Sequence, residues 1–161
     1  MNQTETLKTL SNVMATSGDE TPVRRVLRPL IEDHVDELRV DAMGNLITLK
    51  RGTGERPLRV LVTAHMDEVG FMVVGHAKDG ELKVRSVGGI DARLLPGLDV
   101  RVGEDQLPGV IGLKAIHRDN STKVTPLKNL VVDIGVSDKD EAQKLAPVGT
   151  RVTFPTEAHE V

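Results

Sequence analysis

The sequence contains no cysteine, no tryptophan and no tyrosine, and only two phenylalanines among its 161 residues. The absence of cysteine excludes disulfide bonds, thiolate metal sites and cysteine nucleophiles. With so few aromatic rings, a hydrophobic core has to be built from aliphatic side chains, and bases of single-stranded nucleic acid have no stacking platform. The composition therefore disfavours every function that depends on thiols or on aromatic stacking.

Neither sign of charge predominates, because the formal net charge is only -3 and no long run of like charges occurs. This pattern lacks the basic patch of a nucleic-acid-binding protein and the basic helix of a membrane-surface protein. The N-terminal residues have neither the basic region nor the long apolar region of a signal peptide. No apolar run reaches the roughly 18 residues that a membrane helix needs. We expect a cytoplasmic protein with no nucleic-acid or membrane partner.

The first 56 residues predict two helices and a hairpin. Apolar residues on one face predict a helix over residues 4–16, which Ser17 and Gly18 end. Thr21 and Pro22 begin a second helix whose apolar residues recur with helical spacing. Pro29 lies inside this helix and should kink or split it. Alternating apolar residues on both sides of a turn at residues 43–45 predict a β-hairpin.

The stretch at residues 58–74 organises the chain. Residues 58–64 are mostly apolar and predict a buried strand, after which His65 and Asp67 follow within three residues. A neutral imidazole is a good zinc or cobalt ligand, and a neighbouring carboxylate can hold its second nitrogen. However, a histidine at a strand end is more often part of a solvated turn, and zinc requires at least three protein ligands. Spacing alone leaves both interpretations open.

From about residue 70, short apolar runs alternate with glycine or proline every eight to twelve residues. This punctuation is typical of a small all-β barrel or sandwich. A short helix beginning at a Ser137 cap precedes the last strand. The predicted fold class is α/β: residues 1–70 form the N-terminal part of an α/β catalytic domain. Residues 71–155 form a barrel-like insertion, and residues 156–161 form a polar tail.

Several motifs resemble, in the same order, those of the M42 family of metallo-aminopeptidases. The most specific is the run AHMDEVGF at residues 64–71. The others are SG at 17–18, GNL at 44–46, GGID at 88–91, LPG at 95–97, GVIG at 109–112 with Lys114 and His117, and DIG at 133–135. The resemblance covers almost the whole chain. It implies that residues 71–155 are the family's inserted β domain, which mediates dimer contacts within a larger assembly.

The resemblance also implies a chemical role for two residues. His65 would be a ligand of one metal in a two-metal site, with zinc or cobalt as the ions. Asp67 would orient His65 and influence the acidity of the metal-bound water. The substrates implied are peptides with a free N-terminus, from which the family removes N-terminal residues.

The chain departs from the family pattern in one respect. The remaining ligands and the catalytic glutamate of the family follow the β insertion, and this sequence has no Glu-Glu pair. Asp91-Ala92-Arg93 only superficially resembles the family's bridging-ligand motif. His76 is expected to be exposed, His117 to lie on a loop, and His159 to lie in a frayed tail. We therefore expect an enzyme fragment, a truncated gene product or half of a split enzyme that binds at most one metal weakly and is inactive alone.

Two alternatives remain from the sequence. Residues 71–155 could form a non-catalytic oligomerisation or interaction module, beside which the preceding helices and strands would be an incomplete layer with an open edge and an apolar face. The other alternative is an unrelated α+β domain with a chance motif, which the ordered matches disfavour.

Overall fold

The computed structural model describes residues 2–56, 58–112 and 124–159 and divides the chain into two compact units. The first unit comprises Met1–Asp67 and Glu157–Val161, and the barrel unit comprises Glu68–Thr156. The barrel unit is therefore inserted in sequence between two segments of the first unit. Among the described residues, no helix has the length and apolar character needed to cross a membrane.

Two helices and a hairpin build the first unit. They are α1 (Gln3–Ser11), α2 (Thr21–Ile31), a 3-10 turn (Glu32–His34), β1 (Glu37–Val40) and β2 (Leu46–Leu49). Asn2 and Glu5 form a capping box that starts α1, because each side chain accepts a hydrogen bond from the other's backbone nitrogen. The helix ends at Ser11, earlier than predicted.

The second helix is not split at Pro29, which was one of the two effects predicted for this proline, the other being a kink. It continues as a single α-helix to Ile31. Proline removes only one intrahelical hydrogen bond. Because Pro29 lies near the C-terminal end of α2, little helix remains to be disrupted beyond it.

The hairpin prediction is confirmed, since β1 and β2 pair antiparallel with Val40 opposite Leu46. The turn is held by Asp41, whose carboxylate accepts hydrogen bonds of 2.9 Å from the backbone nitrogens of Met43 and Asn45. The amide of Asn45 also donates to Asp41, and these bonds lower the pKa of the Asp41 carboxyl.

The predicted central strand at residues 58–64 is absent, and this prediction is wrong. The segment belongs to no helix or strand, and Leu58, Leu61 and Val62 are 89%, 87% and 88% exposed. A strand is defined by backbone partners, and β2 pairs only with β1 among the described residues. The apolar sequence is suited to burial in a sheet, but the described part of the chain does not provide the neighbouring strand.

The barrel prediction is confirmed, because six strands of the second unit close into an antiparallel barrel in the order β3-β4-β7-β6-β5-β8. The strands are β3 (Gly70–His76), β4 (Leu82–Val87), β5 (Asp99–Val102), β6 (Leu107–Ile111), β7 (Val131–Asp133) and β8 (Arg151–Thr153). Closure pairs Phe71 of β3 with Val152 of β8. A closed barrel has no unpaired sheet edge.

Aliphatic side chains fill the barrel, as the composition requires. Phe71 is the one buried aromatic residue of this core, and its ring packs edge-on against Phe154 with centroids 5.9 Å apart. The other buried core residues are Val73, Leu82, Val84, Leu95, Val100, Val102, Ile111, Leu130, Val132, Ile134, Ala142, Ala146 and Val152. Successive side chains of a strand point to opposite faces of the sheet, so the residues that enter the core are spaced two apart along each strand.

The third helix, α3 (Lys139–Leu145), adds Ala142 to the barrel core. Its N-cap is Asp138 rather than the predicted Ser137. The Asp138 carboxylate accepts hydrogen bonds from the backbone nitrogens of Asp140 and Glu141. A carboxylate is favoured here over a hydroxyl because it also interacts with the positive end of the helix dipole.

Gly80 permits a tight crossing of two loops in the barrel unit. Its φ is +89°, and a Cβ added there would lie 2.3 Å from the carbonyl oxygen of Val136. Only glycine satisfies both the left-handed backbone and this close approach.

Candidate functional site

His65 and Asp67, the two predicted site residues, are in contact. Nδ1 of His65 lies 2.9 Å from the backbone oxygen of Asp67 and 3.2 Å from its Oδ1. The two residues lie just after the segment at 58–64 and are separated by Met66 alone. The His65 side chain is 86% exposed and that of Asp67 is 34% exposed.

This contact favours one state of the imidazole. Both oxygens are acceptors, so a proton on Nδ1 of His65 is stabilised and the lone pair of a neutral ring resides on Nε2. An imidazole held in this way by a carboxylate and a carbonyl is oriented to bind a metal ion through Nε2. The pair can therefore contribute one nitrogen ligand and its supporting acid.

The described residues do not complete a metal site around this pair. Among them, no group of three or more histidine, aspartate or glutamate side chains has an arrangement that could hold a metal ion. Zinc in proteins takes at least three protein ligands, so one imidazole with 86% exposure does not fit a closed site. Further ligands would have to come from outside the described residues.

The other candidate histidines serve different purposes. His76 was expected to be exposed, but it is half-buried and Nε2 donates a 2.7 Å hydrogen bond to the backbone oxygen of Ala146. This bond joins β3 to the end of α3, which the pattern of a single strand does not reveal. His159 is exposed and lies 3.9 Å from a carboxylate oxygen of Glu157. His117 lies outside the described residues.

The tail at residues 156–161 was expected to be frayed, and the structure differs at one residue. The backbone nitrogen of Ala158 donates a 2.8 Å hydrogen bond to Oδ1 of Asn12, 146 positions earlier. Asn12 is the C-cap residue of α1. The described part of the tail is therefore attached to the first unit.

Asp91 and Arg93 form a local structural pair. Asp91 caps a 3-10 turn, and Nε of Arg93 lies 3.0 Å from both carboxylate oxygens. These hydrogen bonds lower the pKa of Asp91 to about 2. The carboxylate is thus engaged by a guanidinium within its own turn.

Three acidic side chains of the barrel unit lie close together. Among the described residues, however, no such group has an arrangement that could hold a metal ion. Glu81 has its pKa raised, first by burial and then by the charges of Asp79 and Asp133. This cluster could not be recognised from the sequence, because Asp133 is about 50 positions from the other two residues. Only the pairing of β4 with β7 brings them together.

A groove of about 690 Å³ lies within the first unit. One part of its lining comes from α1, α2 and β2, and the other part is the segment at residues 61–66, which ends with His65 and Met66. The full lining is Leu10, Val23, Leu27, Ile31, Asn45, Leu46, Ile47, Thr48, Leu61, Val62, Thr63, Ala64, His65 and Met66. Sequence reasoning missed this groove because it treated residues 58–64 as a buried strand.

Comparisons with known proteins agree with the arrangement of these elements. The profile of the M42 glutamyl aminopeptidase family matches residues 44–161. A glutamyl aminopeptidase from Lactococcus lactis is 35% identical over 80% of this chain and 37% of its own length. The chain spans less than half the length of the curated relatives it matches.

Solved structures have the same fold. The TET1 peptidase of Pyrococcus horikoshii, which assembles into a tetrahedron or a large octahedral shell, superimposes with a TM-score of 0.81 at 38% identity. The match covers 93% of this chain and 46% of that protein. A Thermotoga maritima protein described as an endoglucanase has a TM-score of 0.81 at 43% identity, over 96% of this chain and 46% of its own. From the family match over most of its length, this chain belongs to the M42 glutamyl aminopeptidase family.

Proposed function

We propose that this chain provides one part of a metal-dependent aminopeptidase that removes N-terminal residues from peptides. The observation that carries the proposal is the contact of His65 with Asp67, within a chain whose family profile is that of glutamyl aminopeptidases. Relatives described as glutamyl and lysyl aminopeptidases support peptide rather than carbohydrate substrates.

In this proposal His65 is a metal ligand and Asp67 is its positioning residue. The ring presents Nε2 away from the carboxylate, and its high exposure leaves that atom accessible to an ion. Zinc and cobalt both accept imidazole nitrogen and carboxylate oxygen. The complete site contains two divalent ions, and the chain alone binds at most one of them weakly.

The proposal predicts that the chain alone does not hydrolyse peptides. Among the described residues, no third side chain joins His65 and Asp67 to form a group that could hold a metal ion. A single exposed imidazole neither closes a metal site nor provides a general base beside it. Activity then requires ligands and a base from another polypeptide segment.

Calorimetric titration of the chain with zinc and with cobalt tests the role of His65. We expect weak binding that His65→Ala abolishes and that Asp67→Asn weakens roughly tenfold, the lower end for loss of a residue that orients a ligand. His159→Ala is the matched control, because His159 is also an exposed histidine. Binding unchanged by His65→Ala would contradict the ligand assignment.

An assay on aminoacyl p-nitroanilides with added metal tests the substrate class, with carboxymethylcellulose as the comparison substrate. We expect no turnover of either by the chain alone. Turnover of the anilides by the chain alone would contradict the incomplete site, and turnover of cellulose would contradict the proposed reaction.

A second candidate function is self-association through the barrel, because similar solved structures are described as assemblies, among them a dodecamer and a tetrahedron or octahedral shell. The barrel has the packing expected of a module that is stable by itself. Under this proposal the chain forms homo-oligomers through the barrel, with no catalytic role. A monomer at micromolar concentration in sedimentation equilibrium would count against it.

A further inference from the structure

The outer surface formed by strands β8, β3 and β4 of the barrel is basic. Met72 of β3 is 39% exposed, and the strand register places it opposite Arg85 of β4 and Arg151 of β8. Lys83, which is also exposed, lies two residues before Arg85 on the same face of β4. These three strands contain no acidic residue. We call Met72, Lys83, Arg85 and Arg151 the basic face.

The outer surface formed by strands β5, β6 and β7 has the opposite character. Val110 of β6 is 42% exposed, and the strand register places it opposite Asp99 of β5 and Asp133 of β7. All three residues line a groove of about 540 Å³. Arg101 also lines this groove, but its Nη1 donates a 3.4 Å hydrogen bond to the backbone oxygen of Val100 in its own strand. We call Asp99, Val110 and Asp133 the acidic face.

Two further carboxylates add negative charge beside Asp133. Asp79 and Glu81 line a second groove, which shares Asp133 and Gly135 with the first. The charges of Asp79 and Asp133 raise the pKa of Glu81, after the larger effect of burial. The negative potential of the acidic face is therefore reinforced by its neighbours.

The two faces lie on opposite sides of the barrel and have the same spacing. In the closed order β3-β4-β7-β6-β5-β8, strands β8, β3 and β4 are consecutive, and so are β5, β6 and β7. Adjacent strands are about 4.8 Å apart, so the two charged residues beside each apolar centre are separated by about 10 Å. An apolar residue between two positive charges therefore matches an apolar residue between two negative charges.

One charge on each face has no counter-ion within the described part of the chain. Neither Arg85 nor Asp99 forms a side-chain hydrogen bond or an ion pair with another described residue. Both side chains are exposed. Charges of this kind are available to a binding partner, and complementary potentials orient two proteins before they meet.

We infer that the basic face of one copy of this chain binds the acidic face of a second copy, head to tail. Met72 of one copy packs on Val110 of the next, and the flanking arginines pair with the flanking aspartates. Because the two surfaces differ, the contact is heterologous and leaves one face of each kind free at the ends of the pair. This inference rests on the second candidate function, self-association through the barrel, and identifies the surfaces that would meet.

The equal spacing of the two faces favours a second copy over an unrelated protein. An acidic or a basic partner would have to match only one face, and the spacing of the other would then have no role. A contact between two basic faces or between two acidic faces is opposed by repulsion of like charges. The pairing of unlike faces is the arrangement in which every flanking charge meets an opposite charge.

Sedimentation velocity at about 100 μM protein tests the contact. We expect association at low ionic strength that weakens at least about tenfold in about 0.5 M salt, because salt screens exposed charges. Arg85→Asp and Asp99→Arg are each expected to weaken association at least about tenfold, since each places like charges opposite one another.

A mixture of these two variants gives the sharpest result. Arg85→Asp retains an intact acidic face, and Asp99→Arg retains an intact basic face. The mixture is therefore expected to form a one-to-one complex with about the affinity of the unchanged chain, although neither variant associates well alone. An isologous contact, in which the same surface of both copies meets, would not be restored by mixing.

Arg25→Asp and Asp33→Arg are the matched controls, because they change the net charge by the same amounts. Arg25 lies in α2 and Asp33 in the 3-10 turn that follows it, and both are exposed. Association of these two variants should equal that of the unchanged chain. All four substitutions are at exposed positions, so the variants should fold, which far-UV circular dichroism checks.

The outcomes separate failure of the inference from failure of self-association. Association that neither Arg85→Asp nor Asp99→Arg weakens would overturn the inference and leave self-association in place. Association weakened in one variant alone, or not restored in the mixture, would also overturn it, because the contact would then not join unlike faces. A monomeric unchanged chain at low ionic strength would contradict both. The peptidase proposal is decided separately by the metal titration of His65.

Discussion

The two units differ in how much of their apolar surface they cover themselves. In the barrel unit fourteen apolar residues form one buried cluster, whereas Ala15 and Val23 are the buried apolar residues of the described first unit. Both units consist of short elements with similar aliphatic side chains. The difference lies in closure, because β8 pairs with β3 and no sheet edge remains.

The two units show that suitability for burial and actual burial are different properties, although a sequence pattern does not distinguish them. An apolar run indicates that a segment is suited to burial, but burial requires a partner that covers it. In the barrel each strand finds its neighbour within the described residues. In the first unit the most apolar run, residues 58–64, does not.

The largest expected effect comes from truncating one leucine in each unit. Leu82 is fully buried in the barrel and Leu61 is 87% exposed. Leu82→Ala should lower the free energy of unfolding by about 2–5 kcal/mol, because a cavity remains. Leu61→Ala should change it by about 0.5 kcal/mol or less, as at other surface positions.

Urea denaturation followed by far-UV circular dichroism measures both leucine variants, since the chain has no tryptophan or tyrosine to report by fluorescence. Equal losses would break the comparison, because they would mean that Leu61 is buried in solution.

An intermediate effect is expected where the barrel is most tightly assembled. Gly80→Ala introduces a Cβ 2.3 Å from the Val136 oxygen, while Gly149, with φ of +95°, has no atom within 4 Å of such a Cβ. Gly149→Ala should cost about 1 kcal/mol for the left-handed backbone alone. Gly80→Ala should cost roughly 3 kcal/mol or more, since steric overlap is added.

Thermal unfolding of the two alanine variants isolates the steric contribution. A loss in Gly80→Ala no greater than that in Gly149→Ala would show that the loop at Val136 moves away, and that the barrel is less rigid than its closure indicates.

The smallest effect concerns pH and the one acidic cluster of the barrel. Because burial and neighbouring carboxylates raise the pKa of Glu81 above its ordinary 4.5, the folded state holds this proton more tightly than the unfolded state. Its favourable contribution is present below about pH 4.5 and is lost as the pH rises through the folded pKa. Glu81→Gln should therefore stabilise the barrel at pH 7, by less than about 1 kcal/mol because the group is only half-buried.

Comparison of melting temperatures at pH 7 and at pH 4 checks the prediction for Glu81, and the gain should disappear at the lower pH. Glu104→Gln, at an exposed position, is the control. A gain of equal size at both pH values would exclude the carboxylate repulsion as its cause.

The barrel could be predicted from sequence because its signals are local. Glycines and prolines mark the turns of the barrel, such as Gly80 between β3 and β4 and Gly103 between β5 and β6. The cap of α3 was misassigned because Ser137 and Asp138 are adjacent and both are good caps. Which of them accepts the backbone hydrogen bonds depends on how the loop enters the helix.

The candidate site was only partly predictable. The contact of His65 with Asp67 follows from a spacing of two residues, which a sequence displays. The contact of His76 with Ala146 joins residues 70 positions apart, and the cluster around Glu81 depends on strand order. The groove depended on the absence of a neighbouring strand, which no property of residues 58–64 could indicate.

The pairing of β3 with β8 has a consequence for the modularity of the chain. Because Phe71 is opposite Val152, the chain enters and leaves the barrel on adjacent strands. Adjacent strands are only about 5 Å apart, a gap that a short turn spans. The barrel is therefore built to be excised or transplanted as a cassette, and circular permutation of the isolated barrel needs only a short linker between these two strands.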